Sequence, residues 1–145
     1  MSPASNLHGT AVILGEKGVL ITGRSGAGKT ALALGLIEHW RGRGCFARLV
    51  ADDQCLARIA GNRLIIEAPP AIEGLVEIYG FGPVPCPAES RAVIDLVVRL
   101  VESAMAPRYQ EPGEETIAGV PVPSLTLRER ATRSTIAAIR ACLSE

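Results

Sequence analysis

Ile21-Thr22-Gly23-Arg24-Ser25-Gly26-Ala27-Gly28-Lys29-Thr30-Ala31-Leu32 places Gly23 five residues ahead of Gly28-Lys29-Thr30, with apolar residues before the pattern and a helix-like run after it. This is the phosphate-loop pattern, and its chemistry explains the residue types. Successive backbone N–H groups at a helix N-terminus point at anionic oxygens, the helix dipole adds to the attraction, and glycines permit the dihedrals that close the backbone around phosphate. Gly23, Arg24, Ser25, Gly26, Ala27, Gly28, Lys29 and Thr30 are therefore the expected ATP-phosphate site. Lys29 is expected to reach the β- and γ-phosphates, and the Thr30 hydroxyl to hold Mg²⁺.

Working outward, "TAVIL" and "GVLIT" read as two short strands around a Gly15-Glu16-Lys17-Gly18 turn, the second delivering the chain into the loop. From Ala31 to Trp40, Leu32, Leu36 and Ile37 recur at helical spacing, and Gly42 and Gly44 can stop the helix. "FARLVADD" reads as a strand ending in Asp52 and Asp53, and "CLARIA" and "RLIIEA" as a hairpin around Gly61-Asn62. "LVEIYG" is a short strand, while the prolines and glycines of "GFGPVPCP" exclude regular structure. "AVIDLVVRLV" carries Ile94, Leu96, Val98 and Leu100 at period 2, the mark of a strand, with a helix as the alternative. The polar stretch from Ala106 to Thr116, with Pro107, Pro112 and Gly113, predicts a mobile loop. "VPVPSLTL" is extended, and Thr132 to Leu143 predicts a terminal helix with Thr132 as its cap. The expected fold is a mixed, strand-rich α/β domain rather than the alternating order of a doubly wound sheet.

One domain over residues 1–145 suits the length, which can bury about 70% of the unfolded surface. The 15 Lys and Arg balance the 15 Asp and Glu, so no summed field draws nucleic acid or anionic lipid. No stretch has the roughly 20 apolar residues that cross a bilayer, and "MSPASNLHG" lacks a secretory pattern; the expectation is a cytoplasmic protein. Cys45, Cys55, Cys86 and Cys142 form no C-x-x-C pair and read as reduced thiols.

Asp52 and Asp53 stand where an acid approaches Mg²⁺ and the γ-phosphate. Adjacent strand residues point to opposite faces, so one of them faces the nucleotide unless the chain turns there; the other would hold Mg²⁺ through water or cap a turn. A GTPase would add a base-reading N-K-x-D segment, which the chain lacks, and a lid-bearing metabolite kinase an Arg-rich helical insertion, where this chain has hairpin and proline.

His8-Gly9 ahead of two strands, "ITGRSGAGKT", "RLVADD", "LVEIYGFG" and "VPVP", in this order, resemble HPr kinase/phosphorylase, the bacterial serine kinase of phosphocarrier proteins. The resemblance covers essentially the whole chain and matches the catalytic C-terminal half of longer members, as in the short form of some alpha-proteobacteria. It implies that Asp53 is the catalytic base, with His8 beside it, and that Lys29 is the phosphate-loop lysine. It further implies that Thr30 ligates Mg²⁺, that Glu77 is a second metal-site carboxylate and that Arg108 is a catalytic arginine at the start of the mobile loop, which leaves Asp52 as the acid that would hold Mg²⁺ through water. ATP and Mg²⁺ would be the cofactors, an HPr-like phosphocarrier the partner, and a homo-oligomer, hexameric in the family, the assembly. The chain departs at Glu77-Ile78-Tyr79-Gly80-Phe81-Gly82, where longer members carry Arg at the Tyr79 position; this bears on the reverse, phosphorolytic direction. A small-metabolite kinase and a non-catalytic ATP-binding regulator are the rival readings of the same loop.

Overall fold

The computed structural model describes residues 3–111 and 113–144. Strands β1 (Ser5–His8), β2 (Thr10–Leu14) and β3 (Lys17–Thr22) lead through residues 23–28 into helix α1 (Lys29–Gly42). The expected hairpin is present with a tighter bend. Leu14 pairs with Lys17, so Gly15-Glu16 alone make the turn and Gly18 lies within the strand. Next come β4 (Ala47–Ala51), β5 (Gln54–Ala60), β6 (Arg63–Glu67), β7 (Leu75–Ile78), β8 (Gly82–Pro85), β9 (Arg91–Val101), β10 (Gly113–Ile117), β11 (Val120–Arg128) and helix α2 (Thr132–Leu143).

Three local expectations are corrected. "GPVP" is a strand after all: β8 pairs antiparallel with β7 in a separate two-stranded sheet, where prolines are tolerated because each edge needs few donors. The second half of the expected mobile loop is β10, paired with β11; ahead of it, the Gln110 side chain bonds both backbone groups of Thr126, at 2.7 and 3.2 Å. Pro112 lies outside the described residues. Thr132 is the first residue of α2 rather than its cap, a position taken by Ala131 without any side-chain bond.

Nine strands form the main sheet in the order β1-β5-β6-β9-β3-β2-β4, with β11 on β9 and β10 on β11. One face carries Val12, Leu14, Val19, Ile21, Leu49, Leu96, Val98 and Leu100 against Leu32, Leu36 and Ile37 of α1 and Ile139 of α2. The other carries Ala11, Leu20, Val50, Val97 and Val122 against Cys55, Ala57, Leu64 and Ile66 of the β5–β6 hairpin. Burial on both faces makes these strands near-continuous apolar runs instead of alternating ones. Ile94 belongs to the second face although Leu96 belongs to the first, because the β3–β9 register slips between Gly18/Ile94 and Val19/Leu96. A bulge there inverts the period.

The topology sets the site. β3 and β4 both run antiparallel to β2 and hence parallel to each other, while β9 and β11 run parallel to β3 and to β9 respectively. Their C-terminal ends share one edge of the sheet. The loop after Thr22, the acids after Ala51, Glu102 after Val101 and Glu129-Arg130 after Arg128 therefore emerge together, at the edge where parallel arrangements bind ligands.

Candidate active site

Gly26 and Gly28 adopt φ of 83° and 91°, in the left-handed region where a side chain would be strained. This curls the loop back under the start of α1. Gly28 occupies the N-cap without a side-chain bond, and no acid sits in the first helical turn, so the helix's initial N–H groups keep their capacity for an anion. Lys29 is buried, its ammonium donating to the carbonyls of Gly23 and Arg24 at 3.1 and 3.2 Å. A cation held this way carries its charge inside the loop rather than into water.

The two adjacent acids are separated by a turn. Gln54 N–H donates to Asp52 O at 2.8 Å around Asp53, whose φ is 69°. That is a γ-turn with a left-handed central residue, a conformation costing roughly 1 kcal/mol for a non-glycine residue. The turn sends the two carboxylates to different partners. Asp52 Oδ1 accepts from the Thr30 hydroxyl at 2.7 Å and the Thr10 hydroxyl at 3.1 Å, and Oδ2 accepts from the Glu77 N–H at 2.9 Å. Asp53 Oδ1 accepts from His8 Nε2 at 2.7 Å, while its N–H donates to Thr10 Oγ1 at 3.1 Å. Thr10 thus joins the two acids, and a Gly9 N–H bond to Asp53 O at 3.0 Å ties the turn to the β1–β2 link.

A cleft of about 890 Å³ lies over this arrangement, lined by Ser25, Gly26, Gly28, Lys29 and Thr30 on one side and by Asp53, Glu77 and Tyr79 on the other. His8, Lys29, Thr30, Asp52, Asp53 and Glu77 are thus brought together. Arg108 is not: it lines a second depression with Ser103, Gln110, Thr126 and Ser134, its guanidinium 5.5 Å from the centre of the Tyr109 ring. Among the described residues no three His, Cys, Asp or Glu side chains converge as a metal cage. The oxygen donors beside the loop nevertheless suit Mg²⁺, which keeps several waters and takes few protein ligands. Because its O–H donates a hydrogen bond to Asp52, the Thr30 hydroxyl keeps its lone pairs to offer a cation.

The sequence reading missed the support beneath the loop. Glu129 is buried and accepts from Arg24 Nε at 3.2 Å and from Arg24 Nη2, while Arg24 Nη1 reaches Glu102 at 3.0 Å. The Arg24 hydrogen bond holds the Glu129 carboxyl below its usual range, and the same partner raises the guanidinium pKa. Arg130 donates from Nε to Gly26 O at 2.9 Å and from its backbone to Ala27 O at 3.2 Å. The contacts of Glu129 and Arg130 span more than a hundred residues, and "RER" offered no local signal for them. On the opposite face, burial, together with the charges of Asp52 and Asp53, pushes the Cys55 thiol up to about 12.

A family model described as the HPr serine kinase C-terminal domain matches residues 1–145. The chain is similar to the HPr kinase/phosphorylase of Caldicellulosiruptor bescii, 35% identical over 147 residues covering 92% of this chain and 45% of that protein. It is similar to that of Clostridium acetobutylicum, 32% identical over 152 residues covering 97% and 48%. A solved structure titled "Structure of the Hpr(Ser) kinase/phosphatase from Coxiella burnetii" superposes with a TM-score of 0.80 at 26% identity, covering 95% of each chain. The chain spans about half the length of the curated relatives it matches.

Proposed function

We propose that this chain, which belongs to the HPr serine kinase C-terminal domain family, is an ATP- and Mg²⁺-dependent protein serine kinase of an HPr-like phosphocarrier, with phosphorolysis of the product as its reverse direction. The observation that carries the reading is the division of labour at one turn: Asp52 is bonded to the phosphate-loop Thr30, and Asp53 to His8, beside the same cleft. An ATP-binding regulator would need the loop but not an Asp–His pair next to it.

In the forward direction the serine Oγ attacks the γ-phosphorus, the bond to the β–γ bridging oxygen breaks, and the serine proton goes to Asp53. His8 holds that carboxylate in place from Nε2. Lys29 and the loop N–H groups face the charge on the phosphoryl oxygens. Mg²⁺, when bound, neutralises phosphate charge, and Thr30, with Asp52 and Glu77 behind it, is the group to hold it. In phosphorolysis an oxygen of inorganic phosphate attacks the phosphoserine phosphorus and forms pyrophosphate, the bond to the serine oxygen breaks, and Asp53, starting protonated, gives its proton to that departing oxygen. A cytoplasmic homo-oligomer is the setting that fits this family.

The test is incubation of the purified protein with ATP, Mg²⁺ and small phosphocarrier proteins, reading phosphoserine by mass spectrometry. Wild type is expected to form it, and Lys29→Ala to lose roughly 10²–10³ in rate with an unchanged circular dichroism spectrum. Turnover on small alcohols without a protein acceptor would favour a metabolite kinase. Near-wild-type transfer by Lys29→Ala would overturn the site.

A further inference from the structure

Tyr79 is unused by the chemistry above, yet its ring is fully exposed at the side of the cleft. The two sides of that cleft are tied together by the Asp52 carboxylate, which holds Thr30 at the start of α1 and the Glu77 N–H on β7. Away from that point, α1 presents Ala31 and Leu34, and the β7–β8 hairpin presents Ile78, Tyr79 and Gly80. Leu34 lies four residues beyond Thr30, about 6 Å along the helix axis. Tyr79 lies two beyond Glu77, roughly 7 Å along extended chain. The polar part, formed by Lys29, Thr30, Asp53 and Glu77, gives way to an apolar part with one aromatic face.

A nucleoside polyphosphate seated on residues 23–30 with its terminal phosphate toward Asp53 would extend its other end into that apolar part. The chain has no N-K-x-D segment to read a base by hydrogen bonds, and the exposed Tyr79 ring at the cleft offers a surface for stacking. Its place beside the cleft is set by the backbone: Phe81 N–H donates to Ile78 O at 2.9 Å, a tight turn with Tyr79 at its first corner. The geometry points to Tyr79 as the residue that receives the nucleotide base, its ring stacking on the base over a floor of Leu34 and Ile78. This specificity contact rests on the phosphate-site reading above.

Calorimetric titration of the whole chain with Mg-ATP and with inorganic tripolyphosphate, which has phosphates but no base, separates the two ends of the cleft. Base–aromatic stacking is worth about 1–3 kcal/mol, so Tyr79→Ala is expected to weaken ATP by about five-fold or more while leaving tripolyphosphate unchanged. Tyr79→Phe keeps the ring and is expected to stay within about two-fold of wild type. Equal weakening of both ligands would overturn the proposal by making Tyr79 part of the phosphate site. Unchanged ATP affinity would also overturn it, and an accompanying rise in KM for the carrier would assign the ring to the protein acceptor. A wild-type chain that binds ATP but not tripolyphosphate would leave base contacts as the main source of affinity and sink the phosphate-loop reading instead.

Discussion

Asp52 and Asp53 differ by one position and, through the γ-turn between them, by function. Asp53→Asn keeps shape and can still meet His8, but it cannot take a proton. It is expected to lose roughly 10²–10⁴ in phosphoserine formation with ATP, where the carboxylate takes the serine proton, and in phosphoserine loss with phosphate, where it gives one back to the same oxygen. Asp52→Asn leaves proton transfer intact and weakens the grip on Thr30, so raised Mg²⁺ or Mn²⁺ should recover part of its activity. Assays of both variants in both directions over a metal series check this; metal rescue of Asp53→Asn but not Asp52→Asn would exchange the two roles. Glu129 gives a second prediction at this scale. Its folded-state pKa is depressed by Arg24, so its stabilising contribution is present above its unfolded value near 4.5 and is lost as pH falls through the folded value. Urea midpoints of wild type and Glu129→Gln should differ at neutral pH and converge as the solution is acidified. A gap that persists at the lowest pH at which both still fold would mean that Glu129 acts through packing rather than charge.

Elements meet where their backbones permit, and the tightest meeting is at Gly18 on β3. A Cβ built there would stand 2.0 Å from Val93 O, and the Gly18 N–H donates to Asp95 Oδ2 at 2.9 Å, at the slip that turns Ile94 to one face and Leu96 to the other. Gly18→Ala normally gains a little by restricting the unfolded chain, but a backbone clash of this size should outweigh that gain and cost about 2 kcal/mol or more. The check is a lower urea midpoint at unchanged m-value; wild-type stability would mean that the strands part at no cost. The sequence showed Gly18 but not its purpose, since a turn glycine and a bulge glycine look alike until the partner strand is known. Signals that depend on local pattern were legible: the loop with its flanking β3 and α1, the β5–β6 hairpin, β9, α2, and the grouping of Asp53 with His8 by resemblance. β1, β8 and β10 were not, because "SNLH", "GPVP" and "GEETI" are edge strands with few buried side chains, leaving no alternation of apolar residues to read. The Arg24–Glu129 clamp was invisible for a related reason: it exists only once β9 and β11 lie parallel to β3.

At the scale of the whole molecule, the nine-stranded sheet has apolar residues on both faces, so opening either face exposes core and little can loosen without global unfolding. Cys55 is placed to report this. It lies on the face opposite α1, 1% exposed, with its thiol donating to Gly9 O at 3.2 Å directly behind the Asp52–Asp53 turn. Burial raises its pKa from 9.0 to about 12. Between those values the unfolded chain has released a proton that the folded chain retains, so the slope of stability with pH is negative there: the contribution is complete below about 9 and falls away as pH rises toward 12. Three pKa units correspond to a loss of the order of 4 kcal/mol at the top of that range. Cys55→Ala removes the titration, so its stability should decline less than that of wild type between pH 9 and 11, as read from urea midpoints. The same burial should make iodoacetamide modify exposed Cys45 and Cys142 quickly and Cys55 only at the rate of global opening, which peptide mass mapping over a urea series can follow. If Cys55 is instead labelled as fast as Cys45 in the absence of urea, the β1–β5 flap opens on its own, and the His8–Asp53 pair that rests on it is part of a mobile segment rather than of the rigid sheet.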